Sequence, residues 1–220
     1  MGKQEVLRKW SSSLNAYLEL VFRDNKLMKM PDVSIFKSLL VFDVSYNEIP
    51  SLNGVSKVSS TLKELYVSKN EVTKMEELDH LYNLHILELG SNRLRVMENL
   101  HNLTNLQELW LGWNRIRTVN LCGLKCIRKT SLQSNRLTNM TGFQVCYLDS
   151  LFFIDKQEQR IILEDLWMND NQIASLEGLD LAFAGSRDKL TTIYVEHNPF
   201  ANFPNSTKTT RRVFPKSGAN

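Results

Sequence analysis

Four histidines and three cysteines are the side chains best suited to hold a metal or attack a bond in this chain. Their spacing supports neither chemistry. His80, His85, His101 and His197 fall in separate stretches. Cys122 and Cys126 are close together, but no second Cys or His pair completes a zinc set, and Cys146 stands apart. Packing is the role expected of these thiols. There is no glycine-rich phosphate cradle and no G-x-S-x-G elbow. The sequence therefore predicts no enzyme, no cofactor, no metal and no small-molecule substrate. The chemistry left is recognition, by acids and aromatics set between leucines: Asp43, Tyr66, Glu88, Trp110, Asp165, Trp167 and Tyr194.

The setting of those residues repeats. Leu106–Ile116, LQELWLGWNRI, reads as L-x-x-L-x-L-x-x-N-x-I. Leu109 and Leu111 share one face of an extended segment and Trp110 takes the other. Asn114 falls where the chain must turn, and its amide can bond backbone groups that the turn leaves unpaired. The same grammar recurs in LLVFDVSYNEI, LKELYVSKNEV, LHILELGSNRL, IRKTSLQSNRL, LEDLWMNDNQI and LTTIYVEHNPF, with a weaker copy in YLELVFRDNKL. Asn25, Asn47, Asn70, Asn92, Asn114 and Asn135 follow one another at steps of 22, 23, 22, 22 and 21. This is a leucine-rich repeat. It predicts an α/β solenoid, a horseshoe of eight or nine parallel strands on its concave side. MEELDHLYNL and MENLHNLTNL share a Leu-x-x-Leu-x-x-Leu spacing that suits short 3-10 or helical returns on the convex side.

In each strand the residues flanking the central apolar one point outward. One outward column holds Asp43, Tyr66, Glu88, Trp110, Ser131, Phe152, Trp167 and Tyr194. The other holds Val41, Glu64, Ile86, Glu108, Lys129, Ser150, Asp165 and Thr192. Five acids face one base, Lys129, in a chain whose formal charge is +3. Stacked strands make these columns one ribbon. Exposed aromatics among acids are the residue types that anchor interfaces. Acids argue against a nucleic-acid backbone as ligand and for a protein with a basic surface. The bland alternative is that the aromatics only lean on one another across a curved surface.

The chain divides into a flank or partial cap at 1–16, a solenoid at 17–198, and a degenerate cap or tail at 199–220. In the flank, Val6, Trp10 and Leu14 have the spacing of one helical face. Within the solenoid, LDSLFF (148–153) has strand spacing, but Lys156 stands where an asparagine belongs. Residues 153–162, FIDKQEQRII, are thus either an irregular bulge or a place where repeat sequence is missing. Leu176, Leu179, Ala182 and Phe183 mark a helical face, with Gly185 as its C-cap. No apolar run is long enough for a membrane helix. MGKQEVLRKW lacks the apolar core of a signal peptide. The sequons at Asn102, Asn139 and Asn205 are accordingly expected to stay unmodified. Three cysteines give no disulfide framework and fit a reducing compartment.

The stretches ILELGSNRLRVMENL, LQSNRLTNMTGF, LEDLWMNDNQIASLEG and KLTTIYVEHNP resemble the leucine-rich-repeat regulatory subunits of protein phosphatase 1, and VNLCGLKCI is similar to the plant branch. The resemblance covers Tyr17 to Pro215. It implies a cytoplasmic and nuclear, non-catalytic scaffold that holds the phosphatase catalytic subunit on its concave face. In the family, outward acids and aromatics make that contact. The matching positions here are Asp43, Tyr66, Glu88, Trp110, Asp165, Trp167 and Tyr194. The chain departs from the family in starting inside the array, in lacking more than one repeat around 153–162, and in an altered C-terminal cap. A lost repeat would change the spacing between the Asp43–Trp110 and Asp165–Tyr194 halves of the ribbon. A rigid partner must engage both halves at once. A different reading is a repeat adaptor of an RNA-processing complex, like the small repeat protein of the spliceosome. Its support is the basic tail with Lys208, Arg211, Arg212 and Lys216.

Overall fold

The structure is a computed structural model and describes residues 18–143, 163–183, 186 and 189–202. Eight three-residue strands form one parallel sheet in chain order. They are β1 (Glu19–Val21), β2 (Val41–Asp43), β3 (Glu64–Tyr66), β4 (Ile86–Glu88), β5 (Glu108–Trp110), β6 (Lys129–Ser131), β7 (Asp165–Trp167) and β8 (Thr192–Tyr194). Such brevity follows from the repeat length. Each coil must leave the sheet, turn, cross the convex side and return within about 22 residues.

Every strand from β2 to β7 buries its central residue and leaves its first facing out. The central residues Phe42, Leu65, Leu87, Leu109, Thr130 and Leu166 are fully buried, as are Leu89 and Leu111 beyond the strands. The convex returns close by three-residue steps. Leu81 and Leu84 donate to Leu78 and Leu81, and Leu103 and Leu106 donate to Leu100 and Leu103. These are 3-10 bonds, and they put one leucine per turn into the core. Val55–Lys57 is a full 3-10 turn.

The asparagines tie the coils together. Asn114 accepts from the Leu94 amide at 2.9 Å and donates to the carbonyls of Leu89 and Leu111 at 2.9 and 3.1 Å. Asn47, Asn70, Asn92, Asn135, Asn171 and Asn198 make the same reach to the preceding coil. The turn they serve requires one left-handed residue. It directly precedes each asparagine: Asp24, Tyr46, Lys69, Ser91, Trp113, Ser134, Asp170 and His197 all have φ between 52° and 60°. For a bulky side chain this conformation costs about 1–2 kcal/mol, so Tyr46 and Trp113 are strained positions.

The junction at 144–162 differs from the sequence expectation. The segment itself lies outside the described residues, as does the strand expected at 148–153. However, Lys129–Ser131 pairs directly with Asp165–Trp167, which leaves no place for a strand between them. Phe152 and Ser150, expected in the outward columns, lie outside the described residues. The asparagine ladder also crosses the junction, since the Leu137 amide donates to Asn171 at 2.9 Å. Behind the sheet Phe143 packs on Phe183 with ring centroids 5.2 Å apart. The expected helix is short, α1 (Leu179–Ala182), with Leu179, Ala182 and Phe183 buried. Its expected cap, Gly185, lies outside the described residues, as do the flank at 1–16 and the tail beyond Asn202. The thiols depart from expectation as well: Cys122 is disulfide-bonded, whereas Cys126 is free and exposed.

Candidate protein-interaction surface

The outward positions form a single surface. Register places Asp43 beside Tyr66, Tyr66 beside Glu88, Glu88 beside Trp110, Trp110 beside Ser131, Ser131 beside Trp167, and Trp167 beside Tyr194. Six of the seven candidate residues lie in this one column. Asp165 lies in the neighbouring one, beside Lys129 and Thr192.

The two halves of the column meet at the junction. Ser131 is small and buried, so the Trp110 ring reaches past it to Trp167. Their centroids are 5.4 Å apart at an interplanar angle of 30°. Trp167 then stacks on Tyr194 at 6.2 Å and 9°. Offset stacks of this kind are worth about 0.5–1.5 kcal/mol per pair, and they hold the rings in place before any partner arrives.

The acids are fastened to different degrees. The Tyr66 hydroxyl donates to Glu64 Oε2 at 2.7 Å. Burial, with that bond and the charges of Glu64, Glu88 and Glu108, pushes the Tyr66 phenol well above its ordinary value. Trp110 Nε1 donates to Glu108 Oε2 at 3.2 Å, and Lys129 Nζ lies 3.3 Å from Glu108 Oε1. Asp43 accepts from the Ser45 amide at 2.8 Å and faces Arg23 at 3.5 Å. Asp165 accepts from Thr191 Oγ1 at 2.9 Å. Glu88, at the middle of the column, has no side-chain partner among the described residues. It is the acid most available to a cation from outside.

The sequence reading omitted the column's first member. β1 continues it with Val21, which pairs with Asp43 and is exposed. The weak first copy already carried the signal, because Glu19 and Val21 flank Leu20 there. It also overlooked the left-handed row, where Tyr46 and Trp113 stand exposed.

The histidines remain apart. The His80 ring meets the Val58 carbonyl at 2.9 Å, and His197 pairs with Asp170 at 2.9 Å. His85 is half-buried, and burial, helped by Lys63, lowers its pKa. Among the described residues no group of His, Cys, Asp and Glu is placed to hold a metal ion. Nor is any described helix long and apolar enough to cross a membrane.

No family model matches the chain. A curated relative from Arabidopsis thaliana, "Protein phosphatase 1 regulatory inhibitor subunit PPP1R7 homolog", is 55% identical over 241 residues, covering 96% of this chain and 73% of the relative. Solved structures agree on the solenoid. The internalin C2 of Listeria monocytogenes superposes with a TM-score of 0.70 at 20% identity, over 89% of this chain and 80% of that one. YopM from Yersinia enterocolitica gives 0.55 at 22% identity, over 85% and 39%. At these identities both speak for the fold alone.

Proposed function

Because the chain belongs to the family of protein phosphatase 1 regulatory subunits, whose members are regulators rather than enzymes, we propose that it docks the phosphatase catalytic subunit on its concave face. The observation that carries this reading is the unbroken column from Asp43 to Tyr194, closed across the junction by the Trp110–Trp167 contact. A missing strand would be fatal to docking if it left a gap or a step in that surface. Instead β6 and β7 are hydrogen-bonded neighbours, so a rigid partner meets acids and aromatics in sequence.

The roles follow from chemistry. Trp110, Trp167 and Tyr194 are the apolar anchors, pre-stacked and so cheap to immobilise. Tyr66 adds a hydroxyl and a ring edge. Glu88, Asp43 and Asp165 attract lysines and arginines of the partner and set its orientation. The curated relative is described as an inhibitor, and we extend that sense of regulation to this chain. We extend to it also the cytoplasm and nucleus, where the resemblance puts such subunits.

Co-elution tests the proposal. The chain and the purified catalytic subunit should run together on size exclusion. Trp110→Ala with Trp167→Ala should abolish the shared peak while leaving the circular dichroism spectrum intact, each ring contributing about 1–2 kcal/mol. A shared peak that survives the double substitution would remove those residues from the interface.

A further inference from the structure

Two exposed aromatic side chains lie just outside the column. Tyr46 is 43% and Trp113 63% exposed. Both occupy the left-handed position before an asparagine. In the other coils that position holds Asp24, Lys69, Ser91, Ser134, Asp170 or His197, all polar. Strain of this kind persists where something else is gained from the side chain.

Between the two rings runs a groove of about 160 Å³. Besides the two rings it is lined by Ser68, Lys69, Gly90, Ser91, Gly112 and Gln133, and by Glu88 and Trp110 of the column. Neither glycine has a positive φ, but a Cβ at Gly112 would come within 2.9 Å of the Gln133 side chain and 3.2 Å of Ser131 Oγ, so packing explains that one and only Gly90 has room to spare. The equivalent positions of other coils carry Ser45, Gln133, Asn169 and Glu196. A Cβ at Gly90 would come no closer than 3.4 Å to another atom, the Gly112 carbonyl oxygen. A side chain would therefore fit at Gly90, and its absence keeps the groove open and the backbone bare for close approach. Arg23 lies 4.4 Å from the centroid of the Tyr46 ring, over one face.

We propose that this groove receives an apolar side chain from an extended segment of the same phosphatase partner, followed by a basic residue that pairs with Glu88. The inference rests on the docking reading, because the groove shares Glu88 and Trp110 with the column. The exposed Trp113 and Tyr46 rings favour an apolar group at either end of the groove, with Lys69 and Ser91 between them. Gly90, with no side chain, admits a backbone alongside that group, and the unpaired carboxylate of Glu88 selects a cation next to it.

The test is a set of calorimetric titrations against the catalytic subunit. Trp113→Asn removes a wall and suits the left-handed backbone, so it should weaken binding about tenfold while melting no lower than the parent. Gly90→Gln fills the groove and should weaken binding to a similar degree. If both variants bind like the parent while Trp110→Ala binds worse, the groove is overturned and the column reading stands. If they bind worse and Trp110→Ala with Trp167→Ala does not, the groove stands and the column assignment falls. A parent chain that gives no binding heat and no co-elution overturns both.

Discussion

Asn114 shows at the level of one side chain why the repeat is written as it is. It is 8% exposed and serves groups on its own coil and on the one before. Asn114→Ala would leave the buried Leu94 amide unpaired and strip one of two bonds from the Leu89 and Leu111 carbonyls, which keep Asn92 and Asn135, and chemical denaturation should show a loss of about 2 kcal/mol. Thr130 is the converse. It takes a leucine's place at the centre of β6, fully buried, with a hydroxyl that has no hydrogen-bond partner among the described residues. Thr130→Val should raise stability by about 1 kcal/mol in the same assay, and a loss would mean that the hydroxyl has a hidden partner. His85 gives the chain a pH response. Its folded pKa lies below the unfolded value, so the unfolded state binds a proton first. Stability is full above the unfolded pKa of about 6.5 and falls as pH drops through it toward the folded value. The stability difference between parent and His85→Gln should therefore narrow below pH 6.5.

At the level of elements, each strand does two jobs with three residues. The centre fixes the core and the flanks write the interface. That division made most of the site legible in the sequence. Once Leu109 is known to point inward, Glu108 and Trp110 must point out, and the asparagine steps fix which residues sit side by side. The β6–β7 connection was not legible. Sequence spacing tells how much chain lies between Asn135 and Asn171, but not whether the intervening residues join the sheet. Pairing decided it, because β7 satisfies the open edge of β6 directly. The groove by Trp113 was also missed, since the left-handed turn is set by backbone geometry and any residue type can be forced into it. Hydrogen exchange should find the amides of Leu132 and Ser134, which donate to Trp167 and Asn169 across the junction, about as protected as those of Leu111 and Trp113, which donate to Ser131 and Gln133. Fast exchange at Leu132 alone would mean that the junction opens.

Over the whole molecule, the modest net charge conceals a segregation. Five acids and one base, Lys129, line the outward columns from β2 to β8, although most of the 24 acids lie elsewhere and Glu71 pairs with Arg93 on the flank. Arg93, Arg95, Arg115, Arg117 and Arg136 lie exposed beyond the asparagines, on the flank of three successive coils. A basic partner is drawn to one face and turned away from the other, so its association rate should fall roughly tenfold between low and high salt. A salt-independent rate would leave the acids without a steering role. All of this depends on the shortened array presenting one continuous surface. The most direct measurement is calorimetric titration of the chain with the phosphatase catalytic subunit, after circular dichroism has shown one cooperative unfolding transition. A dissociation constant of micromolar or tighter is the result expected of a column closed between Ser131 and Trp167. A cooperatively folded chain that produces no heat and does not co-elute would contradict it, and phosphatase docking would then be a property of longer relatives and not of this chain.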